Sequence, residues 1–473
     1  MAKTALAEAR RNPKAVEAAI GVLAAKFGNR LVTSQAVREQ HGNILTWIEN
    51  QPPDAVVFPQ SVEDVQDAVR ICAQHRVPVI PYGTGTSLEG NAASVAGGVC
   101  FDFARMNKVL AVHDSDMDVV VQPGITRKQL NAELRGTGLF FPIDPGADAS
   151  IGGMTSTRAS GTMAVRYGTM KDNVMALEVV LADGRVIRTA RRARKSAAGY
   201  DLTRMFVGAE GTLGLITEIT LKVHPVPQAI SAAVCSFDTL HDAVDTAISV
   251  IQSAIPVARI ELLDDVMMRG INAYAKLGYR EAPTLFFEFH GSEASVAEQA
   301  EAAEAIAADH GGHGFAWAKA QEDRSRLWHA RDNTLYAGLG LRPGARAVIT
   351  DVCVPISRLA ECLTETRRDA DEHGFTAPIV GHVGDGNFHM LILIDPAKPE
   401  ESEGAKALQA RMVARAIAMD GTCTGEHGIG LGKIDYLADE LGEAVDVMRS
   451  IKAALDPNGL MNPGKIFASG AKA

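Results

Sequence analysis

Two histidines that flank a glycine-rich turn have the residue types and the spacing of a metal site. His382 and His389 lie on either side of residues 384–387, whose sequence Gly-Asp-Gly-Asn tolerates positive φ, so the apolar neighbours predict the two strands of a β-hairpin. A four-residue loop closed by Val383 and Phe388 would set the two histidines directly opposite each other. Directly opposed residues have Cβ atoms about 4.5–5.5 Å apart, which is close enough for both imidazoles to bind one divalent cation.

A second glycine-rich segment, residues 425–428, adds a carboxylate and a third imidazole. Glu426 could supply an oxygen ligand, and two imidazoles with one carboxylate leave coordination positions open for a substrate. The adjacent His427 would then act as a base. A histidine pair across two strands can also be a purely structural, hydrogen-bonded pair. The second segment favours the metal site, because its glycines let the backbone approach a ligand closely.

Composition restricts the class of protein. At 473 residues the chain is long enough for two or three domains, and 47% hydrophobic with 22% charged residues is typical of a globular protein. The formal net charge of -10 disfavours nucleic acid as a partner. The 6 cysteines include no Cys-x-x-Cys pair, which argues against an iron–sulfur cluster, a zinc ribbon or a disulfide framework and favours a reducing compartment.

The N-terminal region indicates a cytoplasmic location. It lacks the uninterrupted apolar core of a secretory signal, and no run of about 18 apolar residues that could span a bilayer occurs in the sequence. Its basic residues would suit a mitochondrial transit peptide, but Glu8 and Glu17 count against one because such peptides are poor in acids. Peripheral association with a membrane surface is left open.

Two further glycine-rich segments, residues 81–90 and 151–161, are predicted to be anion-binding loops. Their small residues leave backbone N–H groups able to converge on an anion, and their threonine and serine hydroxyls can donate as well. Two such loops suit a pyrophosphate, which has two phosphates to neutralise. Neither segment is a Walker A sequence or the dinucleotide fingerprint of a first strand–helix junction.

Beyond about residue 228 the sequence predicts alternating strands and helices. Apolar segments at 284–289 and 347–352 predict strands, and residues 297–308 predict a helix. Together with the histidine hairpin they predict an antiparallel sheet with helices packed on one face.

Taken in order, these motifs resemble the flavoproteins of the p-cresol methylhydroxylase and vanillyl-alcohol oxidase type, and among them the FAD-dependent D-lactate dehydrogenases linked to a cytochrome or quinone. The resemblance covers residues 50 to 467 and rests on the two opening motifs and on segments 81–90, 144–147, 151–161, 208–214, 350–355 and 461–465. It implies an α+β protein with a helical lead-in (1–50), an FAD-binding domain of two α+β subdomains (51–227), a cap domain over the flavin (228–440) and a C-terminal segment that returns to the FAD domain (441–473).

The resemblance also implies which residues bind FAD. Residues 81–90 contain no histidine that could attach to the flavin ring, so the FAD is expected to be non-covalent. The expected cofactor-binding residues are Pro81, Tyr82, Gly83, Thr84, Gly85, Thr86, Ser87, Asp144, Pro145, Gly146, Ile151, Gly152, Gly153, Thr155, Ser156, Ser160, Gly161, Glu210, Gly211, Thr212, Ile216 and Asn462.

The resemblance makes His382, His389 and Glu426 the ligands of one zinc, manganese or iron ion, and makes His427 the catalytic base. It further implies that Arg331 clamps a substrate carboxylate, for which a guanidinium offers a matching planar fork. The alternative for Arg331 is an ordinary ion pair. Asp385 and Asn387 are interpreted as turn-formers.

The expected activity is a flavin- and metal-dependent oxidation of a D-2-hydroxy acid, with D-lactate converted to pyruvate. Because the sequence shows no haem or iron–sulfur ligand set, electrons are expected to leave to an external acceptor such as cytochrome c, a quinone or an electron-transferring flavoprotein. One alternative is a D-2-hydroxyglutarate or glycolate dehydrogenase. A dicarboxylate substrate such as D-2-hydroxyglutarate would need a second cation, for which Arg342, Arg346 and Lys433 are candidates. Another is a non-catalytic FAD-binding subunit of a multi-subunit oxidase. The oligomeric state is left open, a homodimer included.

Overall fold

The computed structural model describes residues 12–43, 46 and 48–467, which fall into two compact units. The first unit takes the described residues as far as Ser160, then Thr169–Pro225, and the described residues from Glu426 onward. The second unit takes Gly161–Gly168 and Val226–Gly425. Parts of the predicted lead-in (1–11, 44, 45 and 47) and of the predicted C-terminal segment (468–473) lie outside the described residues.

The first unit begins with a four-stranded sheet in the order β1-β2-β4-β3, in which β4 runs parallel to both of its neighbours. Helix α3 shows how the sequence builds this layer. Ser61 caps its first turn by accepting from the N–H of Asp64, and Val65, Val69 and Cys72 form one buried stripe. The elements are α1 (Pro13–Phe27), β1 (Leu31–Val32), α2 (Gln35–Gly42), β2 (Ala55–Val57), α3 (Val62–His75), β3 (Val79–Tyr82) and β4 (Val99–Asp102).

A five-stranded antiparallel sheet in the order β5-β6-β10-β8-β9 and a short strand pair β7-β11 complete the first unit. Its strands are β5 (Val109–His113), β6 (Asp118–Val121), β7 (Leu139–Phe140), β8 (Val174–Val180), β9 (Val186–Arg188), β10 (Leu215–Lys222) and β11 (His224–Pro225). Its helices are α4 (Arg127–Glu133), α5 (Ile151–Thr157), α7 (Met170–Asn173), α8 (Leu202–Phe206), α16 (Ile434–Leu441) and α17 (Ala444–Leu455); α6 (Ala164–Tyr167) belongs to the second unit.

The second unit contains an eight-stranded antiparallel sheet in the order β15-β12-β14-β13-β18-β19-β16, with β17 paired to β19. Its strands are β12 (Ala229–Ser236), β13 (Val257–Leu263), β14 (Thr284–Gly291), β15 (His313–Ala318), β16 (Arg346–Ile349), β17 (Val352–Cys353), β18 (Ile379–His382) and β19 (Asn387–Ile394). Its helices, besides α6, are α9 (Leu240–Gln252), α10 (Asp265–Ala275), α11 (Glu293–Asp309), α12 (Gln321–Asp332), α13 (Thr334–Gly340), α14 (Leu359–Glu372) and α15 (Pro399–Ala418).

Helix α12 packs on the face of the sheet that matters for the site. Leu263 of β13, Met267 of α10 and Trp328 of α12 belong to one buried apolar cluster. Because side chains alternate along a strand, Glu261 lies on the same face of β13 as Leu263. The apolar cluster therefore brings α12, which also carries Arg331, against the face that carries Glu261.

The predicted α+β class and the antiparallel sheet of the second unit are confirmed, as are the strand at 284–289 and the helix at 297–308. The predicted strand at 347–352 is interrupted, because β16 ends at Ile349 and β17 begins at Val352. The predicted domain limits stay predictions. The compact units differ from them at two points, since residues 161–168 group with the second unit and residues 426–440 with the first. Within the described part of the chain, no helix combines the length and the hydropathy needed to cross a bilayer.

Candidate functional site

The histidine hairpin forms with a register that differs from the prediction. Strands β18 and β19 pair His382 with Asn387, so the predicted pairing of Val383 with Phe388 is wrong and the four-residue loop begins one residue earlier. His389 lies two residues beyond Asn387 and therefore projects to the same face as His382. The two histidines are diagonal neighbours instead of direct partners, which long side chains can still bridge.

Contacts outside the hairpin fix this register. Asn387 pairs with Cys353 of β17, and its amide donates to Asp351 Oδ1 at 2.8 Å and to the carbonyl oxygen of Val352 at 2.7 Å. Asn387 is buried and belongs to strand β19, so its interpretation as a turn-former is wrong. The turn itself depends on Gly386, whose φ is +80°, a conformation that glycine adopts without strain.

The two imidazoles face each other with their Nδ1 atoms already engaged. Their ring centroids lie 5.4 Å apart, with an angle of 82° between the ring planes. His382 Nδ1 lies 2.7 Å from Glu261 Oε1, and His389 Nδ1 lies 3.0 Å from the carbonyl oxygen of Thr350. Because these acceptors require N–H at Nδ1, Nε2 is the nitrogen that each ring offers to a cation.

Glu426 completes a donor set. Candidate ligand atoms of His382, His389 and Glu426 all lie within 4.8 Å of one another, and no other group of its kind occurs among the described residues. The preceding residues set the position of Glu426. The hydroxyl of Thr424 donates to Asp351 Oδ2 at 2.9 Å, and a Cβ on Gly425 would lie 2.1 Å from Asn387 Nδ2. Two imidazoles and a carboxylate fit a divalent cation with open coordination positions.

Arg331 lies next to this cluster but is bound to Glu261. Its Nε and Nη2 donate to Glu261 Oε2 at 2.9 and 2.6 Å, and both side chains are buried. Burial alone would raise the pKa of Glu261, but the charges of His382 and Arg331 outweigh burial and lower it. Glu261 is therefore a carboxylate that joins the predicted metal ligand to the predicted substrate clamp.

Two buried acids of the first unit hold the loop that carries His427. Glu89 accepts from the N–H of Leu431 through its carbonyl oxygen at 2.7 Å, and its carboxylate lies 3.7 Å from His427 Nδ1 and 3.5 Å from Lys433 Nζ. Glu210 accepts from the N–H groups of residues 429 and 430 at 2.7 and 2.9 Å. Burial raises the pKa of Glu210. The predicted base is thus held at a defined place by side chains from distant parts of the chain.

The two predicted anion-binding segments come together. The N–H of Ser150 donates to Thr84 Oγ1 at 3.3 Å, and a Cβ on Gly83 would lie 2.1 Å from Ser150 Oγ, so a side chain there would require this hydroxyl to move. Both segments are more regular than predicted. Pro81 and Tyr82 end strand β3, and residues 151–157, which include Ile151, Gly152, Gly153, Thr155 and Ser156, form helix α5. The close approach of two backbone segments at their glycines fits the binding of a pyrophosphate.

The other predicted cofactor residues fall into three groups. The hydroxyls of Thr155 and Ser156 donate to carbonyl oxygens of their own helix at 2.7 and 2.8 Å, so their hydrogens are engaged there. Asn462 donates to the carbonyl oxygens of Asn91 and Glu210 at 2.8 and 2.6 Å, which ties it to the buried end of the same region. The remaining residues lie in or beside turns or in strand β10, namely Gly85, Thr86, Ser87, Asp144, Pro145, Gly146, Ser160, Gly161, Gly211, Thr212 and Ile216.

Sequence reasoning missed three residues. Glu261 had a visible signal, because Arg259 and Glu261 occupy alternate positions of an otherwise apolar strand. Glu89 lies inside segment 81–90, which was interpreted only for its backbone N–H groups and its hydroxyls. Lys465 ends a quoted motif, and its Nζ donates to the carbonyl oxygen of Ala93 at 2.5 Å; burial lowers its pKa to about 7.

Comparison with known proteins covers nearly the whole chain. Residues 53–190 match a family model described as an FAD binding domain, and residues 226–466 match one described as the C-terminal domain of FAD linked oxidases. A protein of Danio rerio described as a probable mitochondrial D-lactate dehydrogenase is 53% identical, over 96% of this chain and 92% of its own length. A mitochondrial D-lactate dehydrogenase (cytochrome) of Arabidopsis thaliana is 51% identical, over 88% of this chain and 73% of its own length.

A solved structure of p-cresol methylhydroxylase with substrate bound has the same fold. It superposes with a TM-score of 0.78 at 18% identity and covers 98% of this chain and 99% of its own. The two family models follow one another in the order that the resemblance implied, with the FAD-binding segments in the first and the histidine hairpin in the second. The chain therefore belongs to the FAD-linked oxidases and is an FAD-dependent oxidoreductase with the p-cresol methylhydroxylase fold.

Proposed function

We propose that this protein is a dehydrogenase of D-2-hydroxy acids, with D-lactate as substrate and pyruvate as product. The cluster of His382, His389 and Glu426 carries the proposal, because its donor set can hold a cation and still leave positions open for a substrate. The names of the Danio rerio and Arabidopsis thaliana relatives, both described as D-lactate dehydrogenases, support the choice of substrate.

The donor set suits zinc, manganese or iron, and such a cation would act as a Lewis acid on the substrate hydroxyl. FAD would be held by the glycine-rich segments 81–90 and 151–161 and, when bound, would supply the acceptor for the hydride. The conversion of D-lactate to pyruvate requires C2 to lose a hydride and the hydroxyl to lose its proton, which leaves a carbonyl at C2.

His427 is proposed to take the hydroxyl proton. Its Nδ1 faces the carboxylate of Glu89 at 3.7 Å, so the imidazolium that forms on proton transfer would be stabilised by a negative charge. Lys433, fully buried, lies 3.5 Å from the same oxygen and helps to hold the carboxylate in place.

Arg331 is proposed to bind the substrate carboxylate through Nη1. Its Nε and Nη2 are engaged by Glu261, and among the described residues Nη1 donates no hydrogen bond. A guanidinium can serve two carboxylates along different edges of its plane.

A dicarboxylate substrate is less well supported. Two of the three candidate second cations are engaged elsewhere, since Arg342 donates to both oxygens of Glu401 at 2.7 and 2.9 Å and Lys433 faces Glu89. For reoxidation we propose a cytochrome as the electron acceptor, in line with the name of the Arabidopsis thaliana relative. A cytoplasmic location stays a prediction, and the relatives are described as mitochondrial.

Anaerobic mixing with a panel of 2-hydroxy acids tests the proposal. D-Lactate alone is expected to bleach the flavin absorbance rapidly, ahead of L-lactate, glycolate and D-2-hydroxyglutarate. His427→Ala should slow this step by about 10²- to 10⁴-fold, the usual contribution of a general base. His241→Ala is the control, because that side chain is 66% exposed and lies on a surface helix. A His427→Ala variant that reduces its flavin at the wild-type rate would remove His427 as the base.

A further inference from the structure

Glu261 is buried, and its two carboxylate oxygens serve different partners. Oε1 accepts from His382 Nδ1 at 2.7 Å, and Oε2 accepts from Nε and Nη2 of Arg331 at 2.9 and 2.6 Å. We propose that Glu261 is a positioning residue that holds the metal ligand His382 and the carboxylate clamp Arg331 in one fixed arrangement. The inference rests on the proposed function and adds to it a residue that touches neither the cation nor the substrate.

Stability alone does not explain this arrangement. Removing an acid, a guanidinium and an imidazole from water costs more than their attraction commonly returns, so apolar side chains of similar volume would serve the fold as well. Apart from Arg259, the rest of strand β13 is apolar, and Glu261 has Ile260 and Leu262 as immediate neighbours. The acid is therefore better explained by the geometry that it imposes.

His382 and Arg331 need different kinds of positioning, and the carboxylate of Glu261 can provide both. A metal-binding imidazole needs an acceptor on its second nitrogen, which fixes the tautomer and the ring orientation. A guanidinium needs its plane fixed so that the edge used for substrate points in one direction. Because both acceptors belong to one rigid carboxylate, the separation of the cation from Nη1 of Arg331 is fixed. A 2-hydroxy acid, with hydroxyl and carboxylate on adjacent carbons, needs such a fixed separation.

The same sheet provides a matched control. Glu288 of β14 is also buried, accepts from His290 Nε2 at 2.9 Å and lies 3.5 Å from Arg259 Nε. It thus has the same pair of partner types one strand away. His290 is not part of the candidate metal cluster, so Glu288 separates the general effect of losing a buried acid from the specific role of Glu261.

The experiment uses the FAD-loaded protein after removal of divalent cations with a chelator. Mn²⁺ alone is titrated and its bound fraction is read by electron paramagnetic resonance, with thermal unfolding of the same samples. We expect Glu261→Gln to weaken Mn²⁺ binding by about 10- to 100-fold, the usual effect of losing an outer acceptor of a ligand histidine. We expect Glu288→Gln to bind Mn²⁺ as the wild type does. At saturating Mn²⁺, Glu261→Gln should raise KM for D-lactate more than it lowers kcat.

Glu261→Asp covers the case in which Glu261→Gln does not fold. It keeps the charge next to Arg331 but shortens the side chain by one carbon–carbon bond, about 1.5 Å, so one carboxylate can no longer reach both partners. Weakened Mn²⁺ binding in this variant supports the inference. Wild-type affinity in both Glu261 variants, or equal losses in Glu261→Gln and Glu288→Gln, overturns it. A wild-type protein that binds no Mn²⁺, Zn²⁺ or Fe²⁺ overturns the proposed metal dependence and this inference together.

Discussion

Replacing Gly425 with alanine should displace the carboxylate ligand of the candidate metal site without touching any ligand. A Cβ at this position would lie 2.1 Å from Asn387 Nδ2 and 2.9 Å from Asp351 Oδ1, both closer than real Cβ contacts. Rotation of the Asn387 amide would not clear the space, because the contact with Asp351 would remain. It would also break the two hydrogen bonds of that amide, at about 1 kcal/mol each. The backbone at Gly425 therefore has to move.

The size of that movement decides the outcome. Ordinary contacts begin at 3.4 Å, so a contact at 2.1 Å requires a shift of about 1.3 Å, part of which passes directly to Glu426. Metal–ligand distances tolerate only about 0.2 Å, so even a third of the shift would weaken the carboxylate bond. We expect Mn²⁺ affinity to fall by at least about 10-fold, and the free energy of unfolding to fall by about 1–3 kcal/mol, as for other overpacked sites.

Gly340→Ala provides the control for this prediction. Gly340 ends helix α13 of the second unit, and a Cβ there would meet no atom within 4 Å. Mn²⁺ titration of the FAD-loaded, chelator-treated proteins, together with urea unfolding, gives both quantities. If Gly425→Ala binds Mn²⁺ as tightly as Gly340→Ala and the wild type, the reasoning that links this glycine to the position of Glu426 is refuted.

Three other predictions concern the first unit. Gly83→Ala would bring a Cβ to 2.1 Å from Ser150 Oγ, so the purified variant should carry less FAD, measured as the ratio of flavin to protein absorbance; a wild-type ratio would contradict this. Burial lowers the pKa of His41, but the hydrogen bonds to Asp102 and to the Val37 carbonyl, together with the charge of Asp102, outweigh burial and raise it. This stabilising contribution is present below pH about 6.5 and is lost as pH rises through the folded-state pKa. His41→Gln should remove that dependence from urea unfolding curves. Burial lowers the pKa of His224 to about 4, so the wild type should lose about 1–2 kcal/mol of stability as pH falls from about 6.5 towards 4, allowing for solvent screening; an equal loss in His224→Gln would argue against this.

The residue types and the alternation of side chains along a strand were enough to predict that the two histidines lie close together. Their side chains project to one face in the predicted register and in the observed one, because moving the closing pair of the hairpin by one residue on both strands preserves which residues share a face. The register itself could not be read locally. It depends on Asn387, whose amide is engaged by Asp351 and Val352 in a strand that precedes the hairpin by about thirty residues.

The supporting side chains could not be predicted because they come from distant positions in the sequence. Glu261 lies 121 residues from His382, and Glu210 lies 219 residues from Ile429, whose N–H it accepts. Pairing over such separations depends on strand order, and β13 lies beside β18 in the second unit although five α-helices and four strands separate them in the chain. A single sequence shows the buried acid but not its partner.

The engagement of both Nδ1 atoms favours the proposed metal site over a structural histidine pair. Two histidines that stabilise a fold by bonding to each other would use a nitrogen of each ring for that bond. Here Glu261 and the Thr350 carbonyl take Nδ1 of His382 and of His389, which fixes both rings as Nδ1–H tautomers or as imidazolium. In the neutral form each Nε2 is an electron-pair donor, so the cluster with Glu426 groups three possible ligand atoms within 4.8 Å of one another. Two imidazoles grouped with one carboxylate in this way are a donor set that favours a divalent cation.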